Sequence, residues 1–316
     1  MKTVSIDEAS SAGDESQYGT TTIGFAVVNY HTSPQVEALL NSLAGRWPTD
    51  SITVIVDNSC SKVEATRLEH LRNRFGSGQN RIEVVVSGRN GGYAAGNNIA
   101  IQRLLAMNAD VVCVLNPDVR VVGGDLAALA QIADTETAVL YGAATDTASG
   151  RRVSGLAELR PWTCRTRILD RLNESRQGSL RFPLGYFMCA SSSTWRRVGG
   201  LSEDYFLYYE EPDLAARGER LGLIVSSFED VVVMHDQGAA TASGERQRDR
   251  NRATLLHVSR GATIFAWKHR RRYLLTTLTA RVALALSLLA TGAFGAGFAV
   301  LRGVGAGIWW IVRRSS

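Results

Sequence analysis

Apolar residues follow two alternating patterns along residues 22–132 of the chain. Four short runs are almost continuously apolar, which is typical of strands buried on both faces of a sheet. Between and after them, apolar residues recur at the spacing of an amphipathic helix. The predicted strands are Ile23–Val28, Ile52–Val56, Ile82–Val86 and Val111–Leu115, and the predicted helices are Gln35–Leu43, Val63–Phe75, Asn98–Met107 and Asp125–Ile132. This alternation predicts an α/β fold in which helices cover both faces of a mostly parallel sheet.

Polar residues follow each of the four predicted strands. The carboxyl ends of parallel strands lie at one edge of a sheet, where the ligands of α/β proteins bind. Asn, Asp and Gly also dominate ordinary turns, so any single strand end has a second explanation. The segments in question are Asn29–His31, Asp57–Ser59, Gly88–Tyr93 and Asn116–Asp118. Four such ends in succession favour a polar ligand-binding site along this edge.

Two of these segments have the chemistry of a cation or phosphate site. Asp118 closes a buried strand, where a carboxylate can hold a divalent cation against phosphate oxygens, although it could equally cap a turn or a helix. Asn90–Asn98 joins a strand to a helix, and its glycines allow the backbone to approach a phosphate at the helix N-terminus. This segment lacks Gly-x-Gly spacing and follows the third strand, which argues against a dinucleotide-binding fingerprint.

Beyond residue 145 the pattern is less regular. Residues 146–181 are rich in arginine and show little periodicity, which predicts an excursion over the surface. Val231–Met234 is a further predicted strand, and it ends at His235. A lone histidine is more often a satisfied polar partner than a ligand, but together with Asp118 it becomes a candidate metal ligand.

A dense cluster of acids and aromatic residues precedes that strand. Glu210, Glu211 and Asp213 follow the aromatic-rich segment Tyr205–Tyr209, and Pro212 suits the first turn of a helix. Acids in a first turn are stabilised by the helix dipole, which is one sufficient explanation of the cluster. A carboxylate beside aromatic walls can also act as a general base toward a hydroxyl group.

Composition and charge narrow the protein class. The chain has 316 residues, of which 45% are hydrophobic and 21% charged, so it is neither disordered nor a small disulfide scaffold. Its four cysteines are widely spaced without a Cys-x-x-Cys pair, which disfavours structural zinc and predicts a reducing compartment. Residues 1–245 carry 22 Lys and Arg against 29 Asp and Glu, whereas residues 246–316 carry 13 against one. A mildly acidic body therefore carries a basic C-terminal segment suited to an anionic partner.

The C-terminal segment combines arginines with a long uncharged run. Val282–Leu301 has the length of a membrane span but contains several small residues, and Trp309 and Trp310 precede Arg313 and Arg314. Three arrangements are open: a membrane span, amphipathic helices at an anionic membrane surface, and a helical hairpin packed on the body of the protein. Nucleic acid is disfavoured as a partner, because the basic run lacks interleaved stacking aromatics. The predicted organisation is a leader over residues 1–21, an α/β domain over 22–240 and membrane-associating helices over 241–316.

The motifs, taken in order over residues 22–240, resemble those of family 2 inverting glycosyltransferases, most closely the bacterial rhamnosyltransferase-like branch. Each motif is weak alone, but their order along the chain is specific. The matching motifs are Val28–Tyr30, Val56–Ser59, Asn90–Asn97, Leu115–Asp118, Gly185, Gly199–Leu201, Glu203, Phe206, Tyr208–Leu214, Arg217 and His235.

The resemblance implies a GT-A fold, a dTDP- or UDP-linked sugar donor and Mg²⁺ or Mn²⁺ as cofactor. Glu211 matches the catalytic base, and Asp118 and His235 match the ligands of the metal or the diphosphate. Asp57 matches the acid that reads the pyrimidine base. The other expected nucleotide-sugar-binding residues are Asn29, Tyr30, Asn58, Asn90, Gly92, Tyr93, Asn97 and Asn116, and the residues expected to support the acceptor side are Tyr186, Glu210 and Asp213.

The expected partners follow from the same resemblance. They are a nucleoside-diphosphate sugar, with L-rhamnose as a candidate sugar, a glycan or polyprenyl-linked acceptor, and an anionic membrane surface at the cytoplasmic face of the cell membrane. The oligomeric state is open. Two departures from the family pattern stand out: Glu211 occupies a position where Asp is usual, and Asn116–Asp118 retains one acid of the metal motif.

Two rival functions are consistent with parts of the sequence. A sugar nucleotidyltransferase would need a basic phosphate-binding loop after the first strand, and Asn29–His31 does not supply one. A catalytically silent sugar-nucleotide- or glycan-binding protein at the membrane is consistent with the exchange of Asp for Glu at position 211.

Overall fold

The computed structural model describes residues 21–76, 80–133, 137–147, 149–171, 174–235 and 244–315. The predicted leader therefore lies outside the described residues except for residue 21, and so does the predicted domain junction near residue 240.

The first half of the chain forms the parallel part of a large sheet. The strands β1 (Ile23–Asn29), β2 (Ile52–Asp57), β3 (Arg81–Val86) and β4 (Val111–Leu115) pair in parallel in the order β3-β2-β1-β4. Asn29 pairs with Asp57 in register, so the carboxyl ends of β1 and β2 lie side by side. The prediction of four strands with polar residues along one edge is confirmed.

Three helices connect these strands. They are α1 (Ser33–Leu43), α2 (Lys62–Phe75) and α3 (Gly92–Ala106). The prediction placed the start of α3 at Asn98, six residues too late. The glycine-rich stretch is helical because α3 packs closely on the sheet: a Cβ added at Gly96 would lie 2.8 Å from Asn58 Nδ2 and 2.9 Å from Val28.

The other half of the sheet is mixed. It contains β5 (Val119–Gly124), β6 (Val139–Asp146), the short β7 (Arg152–Val153), β11 (Phe187–Ser191) and β12 (Ile224–His235). The strand β11 runs antiparallel between β4 and β6, β12 is parallel to β6, and β5 is antiparallel to β12. The α/β prediction is confirmed, with parallel pairing concentrated in β1–β4. The helix predicted at Asp125–Ile132 is a 3₁₀ helix, Leu126–Ile132, capped by Asp125.

The arginine-rich region 146–181 is more than a surface excursion, so that prediction is wrong. It contains a three-stranded antiparallel sheet of β8 (Leu156–Leu159), β9 (Thr166–Leu169) and β10 (Leu180–Pro183) in the order β10-β8-β9. Arginines in this region suggested a solvent-exposed loop, but two of them, Arg167 and Arg176, pair with the buried carboxylate of Glu158 and so belong to a folded unit.

Five helices complete the described fold. They are α4 (Ser192–Val198), α5 (Glu210–Arg220), α6 (Gly244–His269), α7 (Leu274–Ala290) and α8 (Phe294–Ser315). Gly295 contacts Arg252, and Gly307 contacts Thr263, so α8 runs along α6 in the same direction. The C-terminal segment is helical, as predicted.

Candidate active site

A cleft of about 710 Å³ lies beyond the carboxyl ends of β1, β2 and β4. Its walls come from the segments that follow these strands, from the N-terminus of α3 and from α6. Eight of the predicted site residues line it: Tyr30, Asn58, Asn90, Gly92, Tyr93, Asn97, Asn116 and Asp118. The polar residues at the predicted strand ends therefore line one cavity.

Two predicted nucleotide-binding residues lie beneath this cleft. Asn29 and Asp57 are fully buried, and Asn29 Nδ2 donates a hydrogen bond to Asp57 Oδ1 at 2.9 Å. Asp57 Oδ2 has no hydrogen-bond partner among the described residues. Direct contact of either side chain with a nucleotide stays a prediction.

The sequence analysis missed Glu64, which organises this floor. Its carboxylate accepts hydrogen bonds from Asn29 Nδ2 at 3.1 Å and from both the backbone N–H and the hydroxyl of Ser33. Burial opposes ionisation, but the hydrogen bonds from Asn29 and Ser33 outweigh it and lower the pKa of Glu64. An acid in the first turn of a polar helix looks like a solvated side chain in the sequence, so the pattern gave no signal for this role.

Asp118 and His235 meet at the edge of the cleft. Their nearest atoms, Asp118 Oδ1 and His235 Nε2, are 3.2 Å apart. The imidazole of His235 stacks on the ring of Tyr186 at a centroid distance of 4.4 Å, and the Tyr186 hydroxyl is 2.8 Å from the Thr145 hydroxyl. Burial raises the pKa of Tyr186 to about 12, so this ring is a neutral support for the histidine.

This pair provides one oxygen and one nitrogen donor, which suits a divalent cation such as Mg²⁺ or Mn²⁺. In the described part of the chain, no group of three or more His, Cys, Asp or Glu side chains is arranged to hold a metal ion. Two protein ligands are a reasonable set for a cation that keeps water and substrate oxygens in its coordination sphere. The residues present therefore fit the expected cofactor.

Glu211 lies close behind the cleft wall, in the first turn of α5. The backbone N–H of Gly185 donates a hydrogen bond to its carboxylate, and a Cβ at Gly185 would clash with Glu211 Oε1. The hydroxyl of Tyr93, a cleft residue, donates to the carbonyl oxygen of Gly185 at 2.5 Å. Burial raises the pKa of Glu211 to about 7, against the effect of backbone hydrogen bonds from Glu211 and Gly185.

The turn before α5 is held in an uncommon backbone conformation. Tyr208 and Tyr209 have φ values of +68° and +78°, in the left-handed region that residues with a side chain rarely adopt. Just upstream, Phe206 O accepts a hydrogen bond from Tyr93 N at 3.0 Å, and Gly92, with φ at +84°, leaves no room for a side chain against Phe206. These contacts fix the start of α5 against the start of α3, and so position Glu211 beside Tyr93.

Like Glu211, the other two acids of the cluster are not among the residues that line the cleft. Glu210 is buried, and neither of its carboxylate oxygens has a hydrogen-bond partner among the described residues. Burial and the charge of Glu211 raise the pKa of Glu210 well above its usual value. Asp213 instead binds the ammonium of Lys268 at 2.6 Å and His269 Nε2 at 2.7 Å, both on α6. Support of the acceptor side by Glu210 and Asp213 stays a prediction.

Three cleft residues came from parts of the sequence that gave no functional signal. Ala253 and His257 lie one turn apart on α6, and Arg120 follows Asp118 on β5. The His257 ring stacks on Phe206 at a centroid distance of 5.2 Å, and burial together with the charge of nearby Arg260 lowers the pKa of His257. The arginine-rich composition of α6 obscured its contribution to the cleft.

Comparisons with known proteins agree with this arrangement. Residues 25–198 match the model of glycosyl transferase family 2, just over half of the chain. The low-salt glycan biosynthesis hexosyltransferase Agl10 of Haloferax volcanii is 26% identical over 220 residues, which cover 68% of this chain and 67% of the relative.

Solved structures share the fold at low identity. The mannosyltransferase PcManGT of Pyrobaculum calidifontis, solved with GDP-Man and Mn²⁺, aligns with a TM-score of 0.55 at 15% identity, over 93% of this chain and 88% of that one. Residues 1–349 of TarS from S. aureus, solved with UDP-GlcNAc, align with a TM-score of 0.51 at 16% identity, over 81% and 71% of the two chains. The fold is therefore GT-A.

Proposed function

This chain belongs to glycosyl transferase family 2, and we propose that it transfers a hexose from a nucleoside-diphosphate sugar to a hydroxyl group of a glycan or lipid-linked saccharide. One observation carries the proposal: Asp118 lines the cleft and contacts His235, and Glu211 lies behind the wall of the same cleft, beside the cleft residue Tyr93. Tyr186 stacks on His235, and its neighbour Gly185 contacts Glu211, so the two chemical groups are joined through adjacent residues.

A hexose is the sugar that the relatives favour. A hexosyltransferase and a mannosyltransferase are among the proteins that this chain resembles. The rhamnosyltransferase-like branch has no such support, so L-rhamnose stays a prediction from the sequence motifs.

The residues in and beneath the cleft suit a nucleoside diphosphate. Tyr30 and Asn58 at the ends of β1 and β2 offer a ring and an amide to a nucleoside, and Asp57 below keeps one carboxylate oxygen for a pyrimidine N–H. The N-terminus of α3 favours negative charge, and the basic residue Arg120 lines the same cleft. These features support UDP or dTDP as the nucleotide.

Asp118 and His235 would hold the divalent cation, Mg²⁺ or Mn²⁺. When bound, the cation supplies positive charge that stabilises the diphosphate leaving group. Tyr186 fixes the plane of the His235 imidazole by stacking and keeps Nε2 directed at Asp118.

Glu211 is proposed as the general base. Its carboxylate would accept the proton of the attacking acceptor hydroxyl, and a pKa near 7 is well matched to this task at neutral pH. Attack on the side opposite the diphosphate inverts the anomeric centre. The Gly185 N–H and the absence of a side chain at Gly185 hold the longer Glu side chain in place.

The direct test is a donor assay on the full chain. Release of nucleoside diphosphate and thermal stabilisation are measured with UDP-, dTDP- and GDP-hexoses, with and without Mn²⁺. We expect Mn²⁺-stimulated turnover of at least one donor, and a loss of tenfold or more in Asp118→Asn because a metal ligand is lost, on the order expected for metal-assisted chemistry. Asp146→Asn, which alters an acid paired with Arg152 at the surface, is the matched control.

The outcomes separate the rival functions. Stabilisation by a nucleotide sugar without turnover identifies a silent binding protein. Neither binding nor turnover with any donor overturns the proposal.

We further propose that the enzyme works at the cytoplasmic face of the cell membrane, next to its lipid-linked acceptor. The four cysteines are free, which is typical of a reducing compartment. Residues 271–290 and 294–314 form helices long and apolar enough to cross a membrane by length and composition.

A further inference from the structure

The hairpin formed by α7 and α8 exposes apolar side chains along its length. On α8, Phe294, Phe298, Trp309 and Val312 are exposed, and Phe298 has 62% of its surface accessible. Their spacings of 4, 11 and 3 residues place them on one face of the helix. Leu286 on α7 adds a side chain with 59% of its surface accessible. An apolar face of this extent is uncommon on a soluble protein and indicates an interaction surface.

Positive charge flanks this apolar face. Arg271 lies before α7, and Arg302 and Arg313 are exposed on α8. Residues 250–316 contain no Asp or Glu at all. The Arg313 guanidinium lies 4.0 Å from the centre of the Trp309 ring, so a tryptophan and an arginine are adjacent on α8. Tryptophan is enriched at the headgroup level of a bilayer, where arginine can contact lipid phosphates. Cationic charge around an apolar stripe is complementary to an anionic lipid surface.

Buried contacts keep the hairpin on the catalytic body. Arg281, near the middle of α7, is 6% exposed and donates a hydrogen bond to the Tyr209 hydroxyl at 3.1 Å. Near the start of α7, Thr276 donates to the carbonyl oxygen of Trp162. Tyr209 immediately precedes α5, so α7 contacts the residue that leads into the helix carrying Glu211.

The packing of α8 on α6 restricts the hairpin in a second way. Gly303 lies against Leu256 and Ser259, and Gly307 lies against Thr263. The same stretch of α6 carries His257, which lines the cleft. A hairpin that crossed the bilayer would take α6 and the cleft wall into hydrocarbon, where polar groups are costly to bury.

We propose that α7 and α8 lie in the plane of an anionic membrane surface and do not span it. The exposed stripe enters the boundary between headgroups and acyl chains, and the arginines contact lipid phosphates. Gly295 contacts Arg252, the neighbour of the cleft residue Ala253, so the tip of the hairpin lies beside the cleft. In this orientation the membrane would present a lipid-linked saccharide at the cleft opening, a statement about the acceptor that rests on the proposed function.

The first experiment measures flotation of the full chain with phospholipid vesicles. Vesicles of phosphatidylcholine alone are compared with vesicles containing phosphatidylglycerol. We expect binding to the anionic vesicles that weakens with salt, and a loss of about tenfold or more in the double variant Phe298→Ser/Trp309→Ser, from the apolar area withdrawn from lipid. Ile224→Ser, at an apolar residue on β12 that is 50% exposed, should bind as the wild type does. Arg302→Gln/Arg313→Gln should weaken binding to the anionic vesicles only.

The second experiment measures how deeply α8 enters the bilayer. Single cysteines replace Phe294, Gly305 and Val312 in a Cys60→Ser background, since Cys60 is exposed and the other three cysteines are buried. A Cβ at Gly305 meets no atom within 4 Å, so a cysteine fits there. We expect fluorophores at all three positions to be quenched most by nitroxides near the headgroups. In a spanning helix Gly305 would be quenched most by nitroxides at the bilayer centre, and that result overturns the proposal.

A second copy of the chain is the alternative occupant of the stripe. A lipid-free dimer that Phe298→Ser/Trp309→Ser dissociates, with no vesicle binding, also overturns the proposal. Neither experiment requires sugar transfer, so failure here is distinguishable from failure of the donor assay.

Discussion

Three neighbouring carboxylates on α5 occupy three different environments. Glu211 is partly exposed and contacts Gly185 at the cleft wall, Glu210 is buried without a partner among the described residues, and Asp213 is buried among cations. Burial and the proximity of a second acid disfavour ionisation of Glu210, whereas the hydrogen bond from His269 and the charge of Lys268 outweigh burial and lower the pKa of Asp213. Of the three, only Glu211 is partly exposed, lies beside the cleft residue Tyr93 and has a pKa near neutrality.

The raised pKa of Glu211 predicts the pH dependence of transfer. The base must be ionised, and its pKa is about 7, so kcat/KM should rise with pH through about 7. The same shift also affects the stability of the fold. Protonated Glu211 contributes fully to the free energy of unfolding below its ordinary pKa of 4.5, and this contribution is lost as the pH rises through 7. Measurements of kcat/KM and of the melting temperature over about pH 5 to 8.5 test the expected rise in rate and the expected fall in stability. A transfer rate that is flat across pH 7 would remove Glu211 from the role of base.

At the scale of elements, the start of α5 is joined to the end of α6 by a buried ionic cluster. Asp213 accepts hydrogen bonds from Arg217 Nε at 2.7 Å and from the Tyr205 hydroxyl at 3.1 Å, in addition to its contacts with Lys268 and His269. Arg217 comes from α5 itself, whereas Lys268 and His269 come from α6. The helix that carries the proposed base is therefore fixed in part by the C-terminal helices.

Removal of the central charge of this cluster should be costly. Asp213→Asn leaves Arg217 without its anionic partner and Lys268 with Asp204 as its remaining one, and breaking a buried ion pair typically costs about 3–5 kcal/mol. We expect a marked fall in the free energy of unfolding by urea denaturation. Asp170→Asn, at an exposed ion pair with Arg151, should change it by about 1 kcal/mol or less. Equal effects of the two substitutions would show that the cluster adds nothing to stability.

At the scale of the whole molecule, the sequence predicted the half of the fold with simple periodicity. The strands β1, β2 and β4 are nearly continuous apolar runs that are buried, and β3, at the edge of the sheet, is apolar except for Arg81 and Glu83 and partly exposed. The apolar runs and the polar residues that follow them could therefore be recognised in the sequence. The strand β12 was only partly predicted because Ser226, Ser227, Glu229 and Asp230 interrupt its apolar pattern. The small sheet of β8–β10 was missed because its charged residues pair with each other, and pairing across the fold has no signature in a local window.

The candidate site shows the same division. Eight residues predicted from strand ends and motifs line the cleft, and Asp118 and His235, 117 positions apart in the sequence, lie 3.2 Å apart. His257 could not be predicted, because its place in the cleft depends on the docking of α6, which is set by long-range packing. The hydrogen bonds that Glu64 accepts from Asn29 and Ser33 beneath the cleft could not be predicted either, because they join residues more than 30 positions apart.

The most direct test of the central claim is a comparison of donor binding and sugar transfer in Glu211→Gln. The substitution keeps the size of the side chain but removes the basic carboxylate, and general-base catalysis contributes about 10²- to 10⁴-fold to a rate. We predict a loss of transfer in that range with donor affinity within about threefold of the wild type, since in the proposed function the donor binds on the Asn58 and Asp118 side of the cleft. Glu219→Gln, at the exposed end of the same helix, should retain full activity. Transfer by Glu211→Gln at the wild-type rate would contradict the account.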